Sequence, residues 1–569
     1  MKRRMIATLS LLLALTCAVP ALAADAAPNP APRVLNNFVT ELFSTPQTEA
    51  QDRCAHYTNP RDGWVRYERV DADGGKRERM QFRPKGPNPV TIPAGACVSV
   101  RTVPELMFCY YPSSSHIAAY GPYTKEYMAQ HVFPNVNVLV TTSATAPSDF
   151  PEWGKAGGRW IANSPLPGLS DKEAPKAGDV LAVWAKNPAV TQPGYAGVIV
   201  DEFIGAAKGH YRSWSAAVEG LLDGPDFKDK TFYAWCGDLY AVKHERAFAK
   251  MLMKRNQRFV WETYLTEEPT EKEAASWMHQ RVAERMGAWK KKLPGVERQT
   301  VVCLGYLSAP PESLNSLPGV DYQVFLDMQF HMLATDPAFK GLYGLMEYMA
   351  AYADEESLQY AHRLIRHYCI EGRIDRMNAD PYLLPHLSNP DFAQGLDGWT
   401  VQAADRGGIA AGKMDKFSWL QGRYPETKEG DTYCGMRRSA KAPNRLTQTI
   451  RALEPDRVYS VKLISANLDA LDTKEPTSLS VAVEGAEIVP GMDFQCVYPS
   501  CYSHEAGSYT RDHPAHFSFH RLVFKATAQE ATLTIQDWKD ANTPGGPAGQ
   551  TTAFNFVEVQ PCHLDLGRR

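Results

Sequence analysis

The chain has 569 residues and a formal charge of −3, with 44% hydrophobic and 22% charged residues. That length calls for two or three separate cores, and the charge lacks the strongly basic footprint that phosphate backbones select, so no nucleic-acid partner is expected. Aromatic residues make up 11%, with 12 Trp and 26 Tyr, a supply that suits sugar stacking as well as ordinary cores.

In chain order, Met1-Lys2-Arg3-Arg4 precedes an apolar run from Met5 to about Val19 and the small-residue triplet Ala21-Leu22-Ala23. This is the three-part layout of a secretory signal peptide covering residues 1–23. The run is too short for a good membrane anchor, so the mature chain is expected to be secreted or periplasmic, without a membrane span. An uncleaved anchor, or a lipoprotein through Cys17, is the alternative. Loss of Lys2, Arg3 and Arg4 takes the formal charge to −6, and loss of Cys17 leaves ten of the 11 cysteines. An even count in an oxidising compartment makes disulfides expected, with Cys496–Cys501 and Cys54–Cys97 as candidate pairs. No Cys-x-x-Cys pair occurs, and neither a metal nor a cofactor is expected.

Residues 24–103 read as short β-prone runs broken by turn signals, such as Gly63 to Tyr67, Asp73-Gly74-Gly75 and Val90 to Gly95, the pattern of a small β-sandwich. The segment Asn59-Pro60-Arg61-Asp62-Gly63-Trp64 resembles the opening strand of accessory sandwiches that precede some secreted bacterial barrels.

From residue 104 the pattern changes to short runs apolar on both faces with helical stretches between them: Leu106–Tyr111, Val136–Thr141, Arg159–Ser164, Tyr195–Glu202, Phe232–Cys236, Phe259–Tyr264, Val301–Leu307 and Leu342–Tyr348. Parallel strands covered by helices require that pattern, and eight such units predict a (β/α)₈ TIM barrel over residues 104–380. Among the helices, Thr270 and Glu273 form a capping box ahead of the stripe Ala274, Met278, Val282, Met286 and Trp289. A last helix, Asp354 to Ile370, closes the ring before the linker Pro381 to Pro385.

Residues 389–569 are β-patterned again. Their opening, Asn389-Pro390-Asp391-Phe392 through Gly398-Trp399, resembles the first strand of the galactose-binding-like jelly rolls found in carbohydrate-binding modules. Leu446–Ile450, Tyr459–Lys462 and Phe554–Val559 match that family's inner and closing strands. The resemblance implies a carbohydrate-binding module that folds alone.

Barrel proteins carry their working groups at the C-terminal ends of the strands, and here those ends hold acids beside rings. Run four ends Asp201-Glu202, run five Trp235-Cys236-Gly237-Asp238, run six holds Trp261-Glu262-Thr263-Tyr264, and run eight ends Glu347-Tyr348; run one contributes Tyr110, Tyr111 and, just beyond, His116. Cleavage of a glycosidic bond needs one carboxylic acid and one carboxylate. Glu202 is therefore assigned as general acid and Glu262 as the opposing carboxylate, with Asp201, Glu347, Tyr110, His116, Trp235, Asp238, Trp261 and Tyr264 shaping the sugar site. Asp201-Glu202 also resembles the acid/base position of many barrel glycoside hydrolases. The commonest clan places its nucleophile after strand seven, and Cys303 to Leu307 holds no acid there. Each acid also has a structural reading: Asp201 capping a helix or pairing with Arg212, Glu262 and Glu347 as buried ion-pair members. Two functions compete with hydrolysis: a barrel that binds sugar without cutting it, and a polysaccharide lyase, which would want a positive rim for a uronate.

Overall fold

The computed structural model describes residues 31–46, 51–110, 114–142, 145–540 and 542–564, so the signal-like segment 1–23 and Tyr111 lie outside the described residues. Its centre is a closed ring of eight parallel strands: Glu105–Cys109, Val138–Thr141, Arg159–Ser164, Tyr195–Phe203, Thr231–Cys236, Arg258–Thr263, Thr300–Gly305 and Gly344–Tyr348. The first pairs with the last in register, Leu106 opposite Leu345, which closes the barrel. Half of the expected capping box forms: the Thr270 hydroxyl accepts the Glu273 N–H and itself donates to the Glu273 carboxylate at 2.7 Å. The stripe below it is buried against the barrel.

Residues 33–103 form a five-stranded antiparallel sheet and a two-stranded one, with Leu42, Phe43, Tyr57, Val90, Ile92 and Val100 between them. The outer face of the larger sheet closes the N-terminal end of the barrel. There Glu105 is fully buried, Tyr343 donates to its carboxylate at 3.5 Å, and the guanidinium of Arg258 lies 4.1 Å from the Tyr343 ring.

The C-terminal part is a sandwich of a four-stranded and a seven-stranded antiparallel sheet. One face of the larger sheet meets the smaller through Tyr459, Val461, Leu463, Phe524 and Val559. Its other face meets the barrel through Phe517, Phe519 and Phe556 against Ile117, Tyr120 and Ala309. Two covered faces explain why His516–Ala526 and Thr551–Pro561 are buried almost throughout. In that seam Lys462 Nζ lies 3.5 Å from Asp354 and 3.3 Å from Glu558, and Asn315 donates to Glu558 at 2.9 Å.

Two sequence expectations change. Asn389–Trp399 is not a strand: Gly395 and Gly398 have positive φ, and the Asn389 amide donates to the carbonyls of Gly395 and Asp397, so the segment is a chain of turns pinned by Phe392 and Trp399. The first short strand begins after it, at Thr400. The candidate disulfides are also absent, since all ten cysteines among the described residues are free thiols.

Candidate active site

Along each barrel strand, side chains alternate between the interior and the helix layer. On strand six this sends Trp261 outward onto Trp289, 6.0 Å between ring centres, and Glu262 to the interior side at the mouth. On strand four the register shifts between Val200 and Phe203, and Glu202 sits at φ 67 as the extra residue of a bulge. The bulge leaves Asp201 on the interior side, pushes Glu202 out to solvent, and returns Phe203 to the helix side, stacked on Phe248 at 4.9 Å.

Asp201, Glu202 and Glu262 thus converge at the C-terminal mouth, where a fourth carboxylate, Glu312, joins them from the loop after strand seven. Glu262 is open to water yet surrounded by protein and acids. Desolvation, then the charges of Asp201, Glu202 and Glu312, push its carboxyl up to about 7. Desolvation and Glu202 raise Asp201 to about 6, an effect reduced by the hydrogen bond Asp201 accepts from the Glu202 backbone. Burial also raises Glu312, against which the Cys501 thiol sits at 3.9 Å. Among the described residues no lysine, arginine or histidine offsets Asp201, Glu262 or Glu312.

Beside the acids stands a ring cluster. Tyr264 stacks on Tyr348 with centres 5.3 Å apart and planes 7° apart, and Trp235 meets Tyr348 edge-on at 5.2 Å. Tyr264 and Tyr348 are half-buried and Trp235 is buried beneath them. Such a surface offers a sugar ring an apolar face next to the carboxylates.

The remaining expected site residues fall at the edge or outside. Asp238 pairs with Arg285 at 3.2 Å on the rim, and exposed His116 stacks on Tyr352 at 4.8 Å. Tyr110 is buried on the helix side, donating to the Tyr123 carbonyl at 3.0 Å and packing on Phe150, so it does not reach the cleft. Trp261 is excluded for the same reason. Glu347 also points away from the interior, fully buried, with an oxygen 3.5 Å from His362 Nε2. Burial pushes the Glu347 carboxyl up and holds His362 down at about 4, while His362 Nδ1 donates to the Leu358 carbonyl at 2.8 Å. Burial pushes both groups toward their neutral forms, and facing away from the interior they are a structural pair rather than part of a sugar site.

Sequence reasoning missed Glu312, and it named Tyr348 at the end of run eight without assigning it to the site. Glu312 lies five residues past the seventh apolar run, after Pro310-Pro311, so inspection of strand ends alone passes it by. Its loop is held from several sides: Glu267 accepts the N–H groups of Ser316 and Leu317, both at 2.8 Å, Leu314 donates to Leu307, and Ser313 donates to Gly422 of the sandwich at 2.6 Å.

No protein-family model matches the chain, and no curated protein matches it. Similar solved structures include a putative alpha-galactosidase from Bacteroides fragilis, 7% identical over 87% of this chain and 99% of that one, with a TM-score of 0.32. Another is a putative chitinase A from Streptomyces coelicolor, 9% identical over 46% of this chain and 98% of that one, TM-score 0.30. A third is TmCBM61, solved with beta-1,4-galactotriose, 13% identical over 31% of this chain and 97% of that one, TM-score 0.18. The fold class rests on this chain's own strand pairing: it is a (β/α)₈-barrel protein flanked by antiparallel sheets, with an acidic, ring-lined cleft at the barrel mouth.

Proposed function

We propose that this protein is a glycoside hydrolase acting on a poly- or oligosaccharide outside the cytoplasm. The observation that carries the reading is the convergence of Asp201, Glu202 and Glu262 at the barrel mouth, with no cation among the described residues to offset Asp201 or Glu262, beside the Tyr264–Tyr348 stack. A structural acid cluster gains nothing from being left unpaired, whereas protonating a glycosidic oxygen near neutral pH needs a carboxyl whose pKa is raised. Glu262 meets that need, so it takes the acid role that the sequence reading gave to Glu202 and donates the proton to the leaving oxygen, while Asp201, first read as shaping the site, is the ionised carboxylate that stabilises or attacks the sugar carbon. Glu202, at the solvent side of the bulge, orients sugar hydroxyls. The signal-like opening of the chain supports a place outside the cytoplasm, and N-terminal sequencing of the exported protein checks it.

The test is release of reducing ends from a panel of neutral polysaccharides and aryl glycosides. Turnover by the native protein that falls about 10²–10⁴-fold in Glu262→Gln is the expected result. Sugar binding without turnover, with affinity unchanged by Glu262→Gln, would favour a non-catalytic binding barrel.

A further inference from the structure

Among the described residues, the most exposed large aromatic side chains are Tyr424 and Tyr502, 39% and 62% exposed, and both belong to the sandwich. Neither points to open solvent at the far side of that module. Tyr502 follows Cys501, whose thiol touches Glu312, and the Tyr502 hydroxyl lies within electrostatic reach of Glu312 and Glu202. Tyr424 is likewise within reach of Arg281, which shares the rim with Asp238 and Arg285. Between the two tyrosines, Trp419 stacks on His504 with centres 3.9 Å apart and meets Tyr424 at 6.2 Å. His504 Nδ1 donates to the Trp419 carbonyl at 2.7 Å, and Tyr424 N–H donates to Ser313 beside Glu312 at 2.8 Å. The aromatic row is therefore rigidly tied to the loop that carries the fourth acid.

We propose that Tyr424, Trp419 and Tyr502 form a sugar-stacking wall on the sandwich that holds further units of an extended neutral glycan, so that the substrate is a chain rather than a single terminal sugar. The proposal rests on the hydrolase reading for what happens at Glu262, but not for the wall itself. Exposed rings cost apolar hydration unless something covers them, and a row of rings along one side of an acidic cleft matches the alternating apolar faces of a hexose chain. The loop 499–515 thus completes the binding surface of the barrel, and its module is a part of the cleft.

The experiment uses the full chain with Glu262→Gln, titrated with disaccharide to hexasaccharide series from neutral galactan, chitin, mannan and glucan. Affinity should rise with chain length in at least one series, and adding Tyr502→Ala should weaken the longer oligomers by about tenfold or more, with Tyr502→Phe restoring most of the loss. The exposure of Tyr502 leaves little reason for the alanine variant to misfold. Affinity flat with length, insensitive to both Tyr502→Ala and Tyr424→Ala, or undetectable in every series overturns the wall. Length-dependent binding that needs Tyr502, in a native protein that cleaves nothing, leaves the wall standing and removes the hydrolase reading. Cleavage whose KM for the longer oligomers is unchanged in Tyr502→Ala removes the wall and leaves the hydrolase.

Discussion

Glu262 and Asp201 share a corner of the cleft that has room for about one negative charge at neutral pH. With carboxyls near 7 and near 6, they titrate as a pair, and kcat/KM should rise as Asp201 ionises and fall as Glu262 loses its proton, giving a narrow bell between them. Glu312→Gln removes one negative charge felt by Glu262, so the alkaline limb should move to lower pH, as pH–rate profiles of the two proteins would show. The same shifts bear on stability. A carboxyl raised on folding holds its proton more tightly in the folded chain. Its contribution is therefore present below about pH 4 and lost as pH climbs through 6 and 7. Glu262→Gln should accordingly melt higher than the native protein at pH 8 and nearly level with it at pH 4. Asp201, Glu262, Trp235 and Tyr264 were legible because each closes an apolar run. Glu347 and Trp261 were misread because a run apolar on both faces hides which side each residue takes, and only strand pairing reveals it. The bulge at Glu202 was invisible for the same reason: one extra residue changes side without changing composition.

At the scale of elements, the eight barrel strands fell within a few residues of the apolar runs, since buried parallel strands carry a signal on both faces. The Asn389–Trp399 segment carried an equally familiar pattern but folds as turns, because its glycines occupy positive φ and its apolar residues serve as anchors rather than as a pleated face. A more exacting element is the turn after Phe417–Leu420, where Gly422 has φ +86 and a Cβ placed there would lie 2.1 Å from the Pro311 carbonyl oxygen. Only glycine lets the sandwich approach the Glu312 loop this closely. Gly422→Ala should cost about 1–3 kcal/mol from strain and displacement. It should also flatten the effect of Glu312→Gln on the pH profile, since the loop would already have moved. Thermal melts and pH–rate curves of the single and double variants check both statements.

For the whole molecule, the seam between barrel and sandwich decides whether the chain is modular. Lys462, Asp354 and Glu558 are buried together, each at most 1% exposed by side chain. Removing the cation leaves two carboxylates in a dry interface, so Lys462→Met should destabilise by about 3–5 kcal/mol, measured by denaturant unfolding, and Lys462→Met with Asp354→Asn and Glu558→Gln should recover part of it. The resemblance of residues 389–569 to free-standing sugar-binding modules led to the expectation of independent folding. The structure gives a physical reason against it: separation exposes Phe517, Phe519 and Phe556 together with the buried ions. Each half expressed alone should aggregate or bind a hydrophobic dye, whereas the intact chain should melt in one transition. No local pattern announces such a seam, because each of its residues is an ordinary strand residue until the other module arrives.

The uncompensated acids at the mouth also act beyond contact distance. Asp201, Glu202 and Glu312 project a negative potential into the approach path, so the cleft works as an electrostatic filter. Neutral glycans should enter at a rate indifferent to ionic strength. Sulfated or uronate-bearing chains of the same backbone should be repelled at low salt, and admitted progressively as the screening length falls from about 30 Å at 0.01 M toward about 3 Å at 1 M. Competition between a neutral and a sulfated oligosaccharide across a salt series would read that filter directly.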